Sequence, residues 1–141
     1  MKKTVLIIFS ITLTVITMAQ DSWKVYCGNK QLLKTATSDE SKNIIRLGGE
    51  NFGDKDAFII HYSEKSPQKD WKRIIAVFDA KDNELKQVEG ASSFNIPMPA
   101  LVSLLKEKGT LKFYTWALPN DPELAARIRI RRIYLCTVEM K

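Results

Sequence analysis

Lys72-Arg73-Ile74-Ile75-Ala76-Val77-Phe78-Asp79, then Ala80-Lys81-Asp82-Asn83, then Glu84-Leu85-Lys86-Gln87-Val88-Glu89, is the stretch that decides the fold. The middle four residues are turn formers between two β-rich runs, so residues 72–89 read as a β-hairpin. Ile74, Ala76 and Phe78 alternate with Ile75 and Val77, which makes the first arm apolar on both faces. A strand of that kind lies centrally between two covering layers. Phe58, Ile60 and Tyr62 alternate with Ala57, Ile59 and His61 in a similar way.

Working outward, short runs rich in Ile, Val, Phe, Tyr and Trp recur between clusters of Gly, Asn, Asp, Ser and Lys. They give strands at 23–27, 31–36, 43–47, 57–63, 72–79, 84–89, 93–96, 110–118 and 127–140. One helix interrupts them at 98–108. Pro97 and Pro99 suit its start, Leu101, Leu104 and Leu105 form its apolar stripe, and Lys106 and Lys108 favour the dipole at its end. Gly109 suits the left-handed stop. A single-turn helix is expected at Pro122 with Asp121 as its N-cap. The fold class that follows is mainly β: a single β-sandwich or curled antiparallel sheet over residues 20–141, with one short lid helix.

The first 19 residues read differently. Lys2 and Lys3 precede an uncharged apolar run from Thr4 to Met18, and Thr17-Met18-Ala19 offers small residues at the −3 and −1 positions of a cut. This is the pattern of a cleavable signal peptide, with the mature chain starting at Gln20. The run is shorter than the roughly 20 apolar residues of a spanning helix and carries Ser10, Thr12, Thr14 and Thr17, so no membrane span is expected after cleavage. The expected location is periplasmic or secreted. Cys27 and Cys136 are the two cysteines, and in an oxidising compartment they are expected to form a disulfide that brings the first and last strands together.

The 141 residues carry 22 basic and 16 acidic side chains, a formal charge of +6, and removal of Lys2 and Lys3 reduces that excess. Acids and bases are interleaved, which is no nucleic-acid footprint. No catalytic residue is assigned. His61 is the one histidine, in a strand that points Glu64 to the opposite face, so it lacks an orienting carboxylate. There is no G-x-S-x-G elbow, and the S-x-x-K pattern lacks its wider context. Gly48-Gly49-Glu50-Asn51-Phe52-Gly53 has phosphate-loop spacing, but Asp54 stands where Lys is required and Lys55 where Ser or Thr is. Asp39, Glu40, Glu50, Asp54 and Asp56 lack the spacing of a calcium loop. No metal or cofactor is expected.

Arg127-Ile128-Arg129-Ile130-Arg131-Arg132 is the most unusual segment. As a strand it places Arg127, Arg129 and Arg131 on one face, able to grip carboxylate, sulfate or phosphate groups, with Ile128 and Ile130 on the core side. Such a face also serves as a solvated guard against edge pairing. Tyr114 and Trp116 share a face of their own strand and offer a stacking surface if it lies nearby. The leading expectation is an exported, non-catalytic module that binds a protein or anionic glycan partner. The alternative is a small envelope hydrolase or inhibitor-type protein with a loop-built site.

Overall fold

The computed structural model describes residues 20–49 and 52–141, so the signal peptide expected over 1–19, and Glu50 and Asn51 of the glycine-rich stretch, lie outside the described residues. Among the described residues, nine strands and two helices follow in the order β1 (Ser22–Cys27), β2 (Lys30–Thr35), β3 (Ile44–Leu47), β4 (Ala57–Ser63), β5 (Trp71–Asp79), β6 (Glu84–Glu89), β7 (Ser93–Pro97), α1 (Met98–Lys108), β8 (Thr110–Pro119), α2 (Pro122–Arg127) and β9 (Ile133–Met140). The protein is mainly β and sandwich-like. One sheet has the order β2-β1-β4-β7 and the other β3-β9-β8-β5-β6. Among the described residues all strand pairs are antiparallel except β3 with β9, which run parallel. β3 follows a long connection rather than a hairpin, and that connection lets it lie parallel to the last strand.

The β5–β6 hairpin forms where the sequence places it. Asp79 holds its turn, accepting hydrogen bonds from the backbone N–H groups of Lys81 and Asn83 and from the Asn83 amide. β5 is buried on both faces. Ile75 and Val77 enter the core between the sheets, where Phe58, Phe94, Phe113, Ile60, Leu111 and Leu135 are fully buried. Ile74, Ala76 and Phe78 form a second cluster with Trp116 on the outer face. The layer over that outer face includes the Arg132 guanidinium, 4.9 Å from the Phe78 ring centre and 4.7 Å from that of Tyr114. β4 is buried on one face only. Phe58, Ile60 and Tyr62 point inward, whereas His61 is exposed and meets the edge of Tyr26.

α1 closes one end of the sandwich. Met98, Leu101 and Leu105 are buried in the core, Pro stands in the first turn, and Gly109 (φ 80°) ends the helix by donating its N–H to the Leu105 carbonyl. A positive φ is open to glycine at little cost. α1 links β7 of one sheet to β8 of the other, so the leucine stripe covers the gap between them.

The expected disulfide is not present: Cys27 and Cys136 are both buried free thiols. Cys27 is registered against Phe58 in one sheet, and Cys136 against Phe113 in the other. The Phe58 and Phe113 rings pack together with centres 5.3 Å apart, filling the layer between them. Packed sheets lie about 10 Å apart, whereas a disulfide requires Cα atoms within roughly 4.4–6.8 Å. Burial raises the pKa of both thiols.

The first and last strands nevertheless meet, across the core rather than side by side. A bulge pairs Phe113 with Cys136 and Tyr114 with Tyr134, and so leaves Leu135 without an opposite residue. The Leu135 carbonyl accepts instead from the Trp23 indole of β1 at 3.0 Å and from the buried Asn43 amide at 3.2 Å. One bulge thus ties β1, and Asn43 just before β3, to a single backbone oxygen of β9.

Candidate functional site

The end of the sandwich opposite α1 is open and polar. β5 begins here, after the connection 64–70, and its first inward residues are Trp71 and Arg73 rather than aliphatic ones. Arg73 reaches between the sheets. Its Nε donates to the Glu64 carboxylate, its Nη1 to Thr115 Oγ1 at 3.0 Å, and its guanidinium lies 4.4 Å from the centre of the Tyr62 ring. Thr115 Oγ1 donates its own hydrogen bond to the Ile74 carbonyl, and the Tyr62 hydroxyl donates to Asp21 at 2.8 Å. The other Asp21 oxygen accepts from the Lys65 backbone. Burial first, and the Asp21 hydrogen bond second, push the Tyr62 phenol pKa well above its ordinary value. An inward cation is tolerated because its charge and several donors are satisfied locally.

Beside this network runs a groove of about 570 Å³, lined by Trp71, Arg73, Trp116, Ile128, Arg129 and Arg131 among others. Its origin is a strand that stops short. On one side β8 pairs with β5 as far as Pro119, opposite Trp71. On the other side its pairing with β9 ends at Thr115, opposite Ile133. The chain before Ile133 peels away and leaves the groove between itself and residues 116–119.

The strand expected over 127–140 is therefore corrected: only Ile133–Met140 is strand. Arg127 belongs to α2, whose N-cap Asp121 accepts from the Glu123 N–H, and 128–132 have no regular structure. The three arginines do not form one strand face. Arg129 and Arg131 line the groove together with Trp116, whereas Arg127 sits at the helix end, exposed and outside the groove lining. Ile130 is 47 % exposed instead of facing the core. The physical reason is the turn after β8: capping at Asp121 sends the chain into a helix, and residues 128–132 return outside the ladder. Among the described residues none of Arg127, Arg129 and Arg131 forms an ion pair, whereas Arg132 holds Asp82 through two parallel hydrogen bonds of 3.0 and 3.1 Å. Tyr114 lies beneath Arg132 and is not at the groove.

The other sequence candidates lie elsewhere. His61 is on the outer face of β4. Asp39 serves a local turn, accepting from Ser41 and Lys42, and the hydrogen bonds from Ser41 hold its carboxyl below the usual range. Asp56 accepts from the Gly53 N–H. Among the described residues no group of three or more His, Cys, Asp or Glu is placed to hold a metal ion, and no helix is long and apolar enough to cross a membrane. Asp21, Tyr62, Glu64, Trp71 and Arg73 belong to no sequence motif and were not expected at a site. The signal was a cation near the start of an otherwise apolar central strand. Comparison of the chain with protein-family models, curated proteins and solved structures found no match.

Proposed function

We propose that this domain is an exported, non-catalytic binding module that grips an anionic partner at the open end of the sandwich. The observation that carries the reading is the pair Arg129 and Arg131, free of ion pairs among the described residues, facing a groove that contains Trp71 and Trp116. Guanidinium groups bind carboxylate, sulfate and phosphate in a planar, two-pronged manner, and adjoining indoles add apolar contact. Arg73 is held by Glu64 and Thr115, so it fixes the base of the groove.

Retention on a sulfated-glycan column tests the reading. Arg127→Gln/Arg129→Gln/Arg131→Gln should abolish retention and leave the melting temperature almost unchanged. A control with the same loss of charge, Lys24→Gln/Lys30→Gln/Lys34→Gln on the other sheet, should retain most of it. Equal loss in both variants would reduce the effect to net charge and remove the groove from the account. Loss of stability with unchanged retention would make the arginines structural.

A further inference from the structure

The peeled segment exposes something besides charge: a length of strand with a neighbour on one side only. Residues 116–119 of β8 are paired with β5 but not with β9, and no backbone hydrogen bond joins them to 128–132 among the described residues. Backbone N–H and C=O groups point alternately to the two sides of a strand, so part of this edge faces the groove without a ladder partner. Open edges of this kind are templates for an added strand. Here the far wall is Arg129 and Arg131, two residues apart in sequence and lining the same groove. Successive side chains on one face of an extended peptide recur with the same period of two.

Resting on the anionic-partner reading, we infer that the partner is an acidic peptide segment in extended conformation, which adds to β8 at Trp116–Pro119 and places alternate carboxylates against Arg129 and Arg131. Main-chain hydrogen bonds to β8 supply affinity that is blind to sequence, and the arginines select acidic residues at every second position. The indole of Trp116 and the side chain of Ile128, both lining the groove, meet the apolar parts of the incoming chain. A polysaccharide can use the arginines but has no amide groups to complete the β8 ladder.

The probe is a capped six-residue peptide alternating Glu and Val, titrated by fluorescence anisotropy. Two isomers carry N-methyl groups on one or the other alternate set of amides, and a sulfated glycosaminoglycan hexasaccharide serves for comparison. Strand addition predicts that one N-methylated isomer loses affinity by about tenfold or more, while the other binds like the parent. It also predicts that amide shifts of Trp116–Leu118 move on binding, and that the triple Arg→Gln variant loses the peptide. Equal binding of both isomers would overturn strand addition and leave the anionic grip standing. Binding of the hexasaccharide but not the peptide would assign the groove to a glycan and overturn the peptide proposal alone. Peptide binding that is indifferent to the Arg→Gln changes would overturn both. Self-association of the unliganded protein that the same changes abolish would assign the slot to a second copy of the chain, and would likewise overturn the peptide.

Discussion

The two ends of the sandwich are held together by opposite means. At one, α1 lays Met98, Leu101 and Leu105 over the gap between the sheets, and every one of them is buried. At the other, Arg73 reaches between the sheets, bonded to Glu64 and Thr115 and lying over the ring of Tyr62, whose hydroxyl bonds Asp21. Apolar closure gains free energy from removing area from water and is indifferent to which apolar groups meet. A polar network gains little net energy but specifies geometry, because each donor needs its acceptor. The apolar end therefore contributes most to stability. The polar end keeps a groove in shape.

Truncation at the apolar end should produce the largest effect. Leu101→Ala removes a fully buried side chain and should cost about 2–5 kcal/mol in urea unfolding, the range for a core leucine whose cavity only partly collapses. A loss below about 1 kcal/mol would mean that α1 is not part of the core and that the contrast between the ends is false.

The middle of the core is probed by its thiols. Cys136→Ser places a hydroxyl in a fully buried site and should cost about 1–3 kcal/mol, whereas Cys136→Ala should cost less. A thiol reagent should find no reactive group in the folded protein and both cysteines after unfolding without reductant. Appearance of thiols only after reduction would restore the bridge that the Phe58–Phe113 contact argues against.

Alkali should act on the polar end. The folded protein holds the Tyr62 phenol pKa above its ordinary value of 10.0, and burial raises those of Tyr114 and Tyr134 as well. A proton held more tightly in the folded state stabilises it fully below about pH 10, and that stabilisation is lost as the pH climbs beyond the unfolded pKa. Tyr62→Phe should cost about 1.5 kcal/mol at neutral pH through the lost bond to Asp21, and should flatten the fall in stability above pH 10. An unchanged alkaline slope would remove Tyr62 from the polar network.

How legible these features were in the sequence follows from how local their causes are. The hairpin at 72–89, α1 and the cap at Asp121 depend on residues within a few positions of each other, and each forms as expected. The alternation Arg127-Ile128-Arg129-Ile130-Arg131 has the period of a strand, but a period is realised only where a neighbouring strand offers a partner, and the β8–β9 ladder ends at Thr115. The cysteine pair failed for a related reason: proximity across two sheets depends on what fills the layer between them, here two phenyl rings. Arg73 was invisible as a site residue because its partners come from two parts of the chain far apart in sequence, Tyr62 and Glu64 at the end of β4 and Thr115 in β8.

The smallest effects separate arginines within one segment. Arg132 lies over Phe78 and Tyr114 and grips Asp82 with both terminal nitrogens, and that hydrogen bond keeps its pKa raised. Its side chain is 37 % exposed and that of Asp82 60 %, so solvent screens the ion pair and the rings supply much of the hold. Arg132→Gln should therefore cost about 1 kcal/mol, and Asp82→Asn less. The Arg127, Arg129 and Arg131 changes should together stay within about 0.5 kcal/mol, since none of the three has an ion-pair partner among the described residues to lose. In binding the order should invert. The three glutamines should remove retention outright, whereas Arg132→Gln should weaken it only by loosening the segment that carries Arg129 and Arg131. Salt distinguishes the two effects: loss of direct anion contacts flattens the dependence of retention on ionic strength, and loosening leaves the slope unchanged. An Arg132→Gln protein with a flattened slope would place Arg132 among the binding residues and dissolve the division of labour within the segment.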